Sequence, residues 1–368
     1  MKIGITGING LIGWHLRAYL YRRRDLEVRG ADRATFADPA ALAEFVVGLD
    51  AVVHLAAMNR GDDAELEAVN VGLVEALVAA CERTGAKPHI VLSSSTHVER
   101  ETAYGRSKKA GAERLHRWAG KSGGSFTNLI LPHVFGEFGK PFYNSVVSTF
   151  CHQLANGEMP AIAVDGQLEL AHTQQVAERI VQAIEHRENG DRRMQGESLR
   201  VSQLLARLEQ MSSLYERQVI PDLRQPPDLR LFNTYRSYLF PRHYPVTVEV
   251  RADHRGGLFE AVRSLNPGQT FLSTTKPGIT RGNHYHTRKV ERFLVTSGEA
   301  VIRLRKLFTR DVVEFRVSGS KPQYIDMPTF YTHDITNVGA DELMTAFWAQ
   351  EIFDPNDPDT FPETVTPQ

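Results

Sequence analysis

Short apolar runs alternate along the first part of the chain with longer stretches whose apolar positions recur every three or four residues. Residues 2–6 predict a strand, and after a glycine-rich turn "LIGWHLRAYLYRR" sets Ile12, Leu16 and Leu20 on one helical face. "EVRGADR" predicts a second strand, "AALAEFVVGL" a helix, and "DAVVHLAA" a fully buried strand. "AELEAVNVGLVEALVAACERTG" predicts a long helix closed by Gly85, followed by the strand "HIVLSSS". "SKKAGAERLHRWAGKSG" predicts a helix and "SFTNLILPHVFG" a return to strand. Such alternation predicts an α/β, doubly wound parallel sheet covered on both faces.

After about residue 140 the pattern loosens. "VAERIVQAIEHREN" and "VSQLLARLEQMSSLYERQV" predict amphipathic helices, and proline-rich 220–245 reads as a connector. Beyond Pro245 short alternating runs take over: "VTVEVR", "ERFLVTSGEAVIRLRK", "DVVEFRVSG", "QYIDMP" and "LMTAFWAQE". They predict an all-β antiparallel sandwich or barrel. The change of texture divides the chain into residues 1–242 and 243–368.

Length fits two to three domains, since the chain has 368 residues. Lys plus Arg number 43 against 44 Asp plus Glu, a balance that gives no reason to expect nucleic acid or an anionic membrane as partner. No apolar run approaches the roughly 20 residues that span a bilayer. The start shows no basic segment with a cleavage site, so no signal peptide is expected. Cys81 and Cys151 are the only cysteines, so no disulfide framework is implied and a reducing, cytoplasmic setting is expected.

Two stretches carry chemistry. The first is the TGxxGxxG turn of Thr6, Gly7, Ile8, Asn9, Gly10, Leu11, Ile12 and Gly13, between a strand and a helix. Gly7 permits the tight turn, Gly10 the approach of backbone to a pyrophosphate, and Gly13 close packing of helix on sheet. Further on, Tyr104 and Lys108 stand one helical turn apart after the serine-ended strand Ser93, Ser94, Ser95. A lysine beside a tyrosine hydroxyl favours the phenolate, and such a tyrosine exchanges a proton with a sugar oxygen.

Over residues 1–240 these features, with "HLAA" (54–57), resemble the extended short-chain dehydrogenase/reductase family. The resemblance implies a Rossmann-type sheet, catalytic Tyr104, Lys108 and Ser95 (Ser94 being the register alternative), and cofactor contacts at Asn9, Leu11, Ile12, Leu55, Ala56 and Lys108. Asn70 in "AVNVG" matches a structural asparagine. Asp32 suits the ribose 2′-OH of NADH and Arg33 the 2′-phosphate of NADPH.

In the second stretch, Gly278, His284, His286, Glu291 and Gly298 form G-x5-H-x-H-x4-E-x6-G, and Pro328, His333 and Asn337 follow. His284 and His286 point to one side of a strand. The spacing resembles the motifs of the cupin β-barrels, which implies a metal held by His284, His286, Glu291 and His333. Zinc suits such ligands, as do other divalent ions. Phe330 stands where that family has a glycine. Cupins often pair, so a homodimer is expected.

"HLAAMNR", "YNSVVSTFCHQLANGE", "NTYRSYLFP", "KPGITRGNHYHTRKVERFLV" and "FDPNDPDT" together resemble, over essentially the full length, a family of bifunctional bacterial capsular-polysaccharide enzymes. The resemblance implies a UDP-sugar substrate. The cupin part epimerises C3 of a UDP-4-keto-6-deoxy-HexNAc, and the reductase part reduces C4 with NADPH to UDP-2-acetamido-2,6-dideoxy-L-talose. It also favours Arg33 and hence NADPH, and it places Asn144 and His133 at the substrate. This chain departs from that family at Ile130 and His133, and at "HTQQ" (172–175). Two alternatives remain: a reductase or epimerase whose cupin is structural, and a non-catalytic NADPH- and sugar-binding sensor.

Overall fold

Residues 2–6 become strand β1 (Lys2–Thr6), in which every residue after Lys2 is buried. A continuous buried run is what a strand inside a parallel sheet requires. The structure, a computed structural model, describes residues 1–367. Helix α1 (Leu11–Tyr21) returns over the sheet to β2 (Glu27–Ala31), and α2 (Arg33–Ala37) and α3 (Pro39–Val46) lead to β3 (Ala51–His54). Helix α4 (Asp63–Thr84) starts where Asp62 accepts the Ala64 and Glu65 amides, and it ends at Gly85, whose φ of 70° a side chain would resist. Strand β4 (His89–Ser95), helix α5 (Ala103–Ser122) and β5 (Ser125–Leu131) follow.

The sheet order is β2-β1-β3-β4-β5 and then Gly190–Arg193, all parallel. Strand order reverses between β1 and β3, so their carboxyl ends frame the crevice where such sheets bind ligands. Alternation along β3 sends Val53 to a core with Ile3, Ile5 and Leu16, and Val52 to a core with Leu77, Leu115 and Trp118. The predicted doubly wound α/β part is therefore present.

By packing, one unit comprises Met1–Val146 and Val164–Val201, and the other comprises Val147–Ala163 and the chain from Ser202 onward. The second unit holds two antiparallel five-stranded sheets. One runs Val246–Thr247, Gln323–Met327, Glu291–Ser297, Leu343–Ala349, Gln269–Thr275. The other runs Val312–Ser318, Glu299–Lys306, Tyr331–Asn337, Thr280–Tyr285, Phe361–Pro362. Val295, Ile302, Leu304, Ile325 and Ile335 form the barrel core.

The chain departs from its expected pattern at two places. The connector at 220–245 contains a helix, Pro226–Leu239. Pro226 and Pro227 stand at its first positions, where a missing N–H costs nothing, so these prolines start a helix instead of breaking one. "VTVEVR" is only partly strand: Val248 is buried, Val250 is exposed, and Arg251–Asp253 pairs with Gly256–Leu258 in a separate exposed hairpin.

Residues 202–242, which the sequence pattern assigns to the N-terminal part, are bonded into the barrel. Arg236 donates to Met327 O, Asn233 donates to Arg288 O, and Tyr215 donates to the Asp326 carboxylate at 2.5 Å. Asp326 also accepts Arg292 through two bonds of 2.7 and 2.9 Å, and the Arg292 guanidinium lies 3.5 Å from the Tyr324 ring centroid. Arg292 and Asp326 are both fully buried. Removing one partner of such a pair strands the other charge, so Asp326→Ala is expected to cost about 3–5 kcal/mol. Urea unfolding of the variant beside the wild type measures this.

Candidate active site and metal centre

The glycine turn is built by contact. A Cβ on Gly13 would stand 2.3 Å from Gly7 O and 2.8 Å from Ile8 Cα. Gly7 has a φ of 69°, and a Cβ there would meet the Ala56 amide at 2.8 Å. Gly10 precedes α1 without offering a side-chain cap, which leaves the first amides of the helix, at Leu11 and Ile12, for an anion. These features fit a dinucleotide pyrophosphate. Leu55 and Ala56 lie at the end of β3, and both amides donate to Thr6 Oγ1, so this wall of the crevice is locked to β1. Asn9 is exposed on the turn.

Asp32 and Arg33 follow β2. The Asp32 carboxylate caps α2, accepting the Thr35 amide at 3.0 Å and its hydroxyl at 3.1 Å. Those bonds hold it below the usual carboxylate range. Arg33 is exposed on the first turn.

Thr102 caps α5 by accepting the Gly105 amide, which fixes Tyr104 and Lys108 in the first turns of the helix. Lys108 is buried, donates to Ser93 O at 2.9 Å, and has its ammonium 5.5 Å from the Tyr104 ring centroid. Burial alone pushes Tyr104 up to about 12 and Lys108 down to about 8. Burial, not the nearby ammonium, sets the direction of the Tyr104 shift. A protonated Tyr104 suits proton donation.

Ser94 Oγ is buried without a hydrogen-bond partner among the described residues, and Ser95 Oγ accepts the His97 amide at 3.2 Å. Asn70 bonds Met58 at both its amide and its carbonyl and donates to Ser107, tying the segment after β3 to α5, as its structural reading requires.

His133 Nε2 is buried without a partner among the described residues. Burial and then the charge of His97 lower its pKa. His97 itself meets Tyr104 edge to face at 6.2 Å between ring centroids. Sequence reasoning did not single out His97, because no motif position marks it. Asn144 is exposed, with its side-chain oxygen held by Arg60 Nε at 3.0 Å.

In the barrel, His284, His286, Glu291 and His333 present donor atoms that all lie within 4.8 Å of one another. His284 and His333 face each other across paired strands, after a bulge at Asn283 whose φ is 59°. Their ring centroids are 4.6 Å apart. His286 Nε2 lies 2.9 Å from Glu291 Oε2. His333 Nε2 is buried with no hydrogen-bond partner among the described residues. Burial would raise Glu291, but His286, His333 and His284 outweigh it and hold the carboxyl at about 2. Burial lowers His284 to about 4 and His333 well below its ordinary value. Burial would lower His286, but Glu291 and then Asp359 outweigh it and raise it. An ionised carboxylate beside three imidazoles, two of them held neutral and one of those with an orphaned nitrogen, is a donor set that fits a divalent cation.

Phe330 takes the left-handed conformation itself, with a φ of 64°, and is fully buried. Its amide donates to His286 O at 2.8 Å. Phe330 thus adopts the left-handed backbone that a glycine accepts without strain.

The NAD dependent epimerase/dehydratase family profile matches residues 3–195. The chain belongs to that family. Its epimerase/dehydratase part is joined to a polysaccharide biosynthesis C-terminal domain, matched over residues 251–361. A curated relative, the UDP-2-acetamido-2,6-beta-L-arabino-hexul-4-ose reductase of Pseudomonas aeruginosa, is 31% identical over 367 residues, 98% of each chain. Among solved structures, the capsular polysaccharide assembling protein CapF of Staphylococcus aureus is 33% identical, with a TM-score of 0.66 over 99% of this chain and all of its own. The UDP-glucose 4-epimerase of Thermotoga maritima covers 62% of this chain and 88% of its own at 20% identity and a TM-score of 0.53, which shows the shared fold alone.

Purified protein is expected to carry about one divalent ion per chain, and His284→Ala to lose most of it. Elemental analysis of both proteins checks this.

Proposed function

We propose that the protein converts a UDP-4-keto-6-deoxy-HexNAc in two steps, epimerising C3 in the barrel part (243–368) and reducing C4 in the epimerase/dehydratase part (1–242). The product would be UDP-2-acetamido-2,6-dideoxy-L-talose, which feeds the UDP-N-acetyl-L-fucosamine of capsule or O-antigen polysaccharide. The observation that carries this reading is that one chain holds both the Tyr104–Lys108 pair and the buried cluster of three imidazoles and a carboxylate. The full-length likeness to a UDP-hexulose reductase and to a capsular polysaccharide protein supports the substrate class.

NADPH, when bound, supplies a hydride to the C4 carbonyl carbon. Tyr104 hands its hydroxyl proton to the C4 oxygen, so the ketone becomes an alcohol with charge balanced. Ser95, or Ser94 with its unpartnered hydroxyl, hydrogen-bonds the same oxygen. Lys108 sets the charge beneath the tyrosine and the ribose. The preference for NADPH rests on Asp32 being engaged by Thr35 while Arg33 stands exposed. His133 and Asn144 are the proposed substrate contacts.

For epimerisation, a base removes the proton at C3, which the neighbouring ketone acidifies, and the enolate takes a proton on the opposite face. A divalent ion at His284, His286, Glu291 and His333 would supply Lewis-acid stabilisation of that enolate. We place the enzyme in the cytoplasm as a homodimer. The exposed strand Gln269–Thr275 of the barrel, with Leu272 68% exposed, offers a face for pairing.

Tyr104→Phe is expected to slow NADPH oxidation on the 4-keto sugar by roughly 10²–10⁴-fold, while the variant still binds NADPH in a fluorescence titration. Oxidation at the wild-type rate would remove Tyr104 from the reaction.

A further inference from the structure

The segment "FDPNDPDT" (353–360) reaches the metal-ligand loop. Its Asp359 is buried and lies beside the loop that separates His286 from Glu291. One carboxylate oxygen accepts the Thr287 amide at 3.0 Å and the Thr287 hydroxyl at 2.6 Å. The other accepts the Arg288 amide at 2.9 Å and the Lys289 amide at 2.8 Å. The backbone carbonyl of the same residue faces His286 Nδ1 at 2.5 Å. A carbonyl only accepts, so His286 carries its proton on Nδ1 there. Asp359 holds a φ of 42°, a conformation that non-glycine residues keep only when their surroundings impose it.

We infer that Asp359 is a positioning residue of the metal centre, its carboxylate fixing the 287–289 backbone and its carbonyl fixing the His286 ring. This rests on the reading of His284, His286, Glu291 and His333 as metal ligands. The carboxylate gathers three successive amides into a turn, which sets the spacing between His286 and Glu291. The bond at Nδ1 turns Nε2 toward Glu291, 2.9 Å away. Partners of this kind fix the orientation of a ligand and raise its basicity. Lys289 reinforces the contact through Pro358 O, and Phe361 pairs with Tyr285, so the tail closes over the strand that carries His284.

The test compares full-length wild type with Asp359→Gly and Asp359→Asn. Glycine accepts the left-handed backbone and removes only the carboxylate. Asparagine tolerates the same conformation and keeps one acceptor oxygen. In Asp359→Gly, zinc affinity measured by chelator competition is expected to fall about 10–100-fold. The absorption of the cobalt-substituted protein should shift, and amide exchange at Thr287, Arg288 and Lys289 should accelerate while Glu299–Lys306 stays protected. Asp359→Asn should fall between the two. Wild-type affinity, cobalt spectrum and exchange in Asp359→Gly would overturn the positioning role alone. A wild-type protein that binds no divalent ion would overturn the metal site and the positioning role together.

Discussion

Burying three imidazoles and a carboxylate inside an apolar barrel costs several kcal/mol unless every polar atom finds a partner. The C-terminal unit partners most of these atoms and leaves His333 Nε2 without a hydrogen bond inside the cluster. A bulge at Asn283 brings His284 opposite His333, a left-handed Phe330 bonds His286, and a tail residue 73 positions further on receives the second nitrogen of His286. On the same strand as Glu291, the next residue, Arg292, points the other way and is neutralised by Asp326. Strand alternation thus places one charge in the donor cluster and the other in a closed ion pair, and neither is left alone.

The epimerase/dehydratase unit solves a different problem. In the proposed reaction it would expose backbone amides to an anion and hold a tyrosine as a proton donor. Close packing at Gly7 and Gly13 gives the first, and burial of Tyr104 beside a lysine bonded to Ser93 gives the second. In the proposed reaction the two units would use one property of the substrate, because a ketone at C4 both accepts hydride and acidifies C3. Reduction would remove that acidity, so in this proposal epimerisation comes first.

Much of this was legible in the sequence because its causes are local. The TGxxGxxG turn, the Gly85 helix stop and the continuous apolar run of β3 depend on residues a few positions apart. The helix Pro226–Leu239 is hidden in a proline-rich stretch that reads as a connector, because proline usually breaks a helix, whereas at a first helical turn it initiates one. The same helix ties residues 226–239 to the barrel through Arg236 and Asn233, contacts across 91 and 55 positions that no pattern encodes. The histidine spacing pointed to the donor cluster, but Asp359 became meaningful only when folding set it beside Thr287. His97, between strand and helix, carries no signature at all.

The central claim is that the barrel acts on C3 before and without any redox step. Full-length Tyr104→Phe, given the UDP-4-keto sugar in D₂O with no nicotinamide cofactor, tests it by NMR. Deuterium should enter at C3 in this variant and should be lost when His333→Ala is added. Exchange that requires NADPH, that persists without His333, or that never occurs would contradict the account and leave the barrel a structural partner of a reductase.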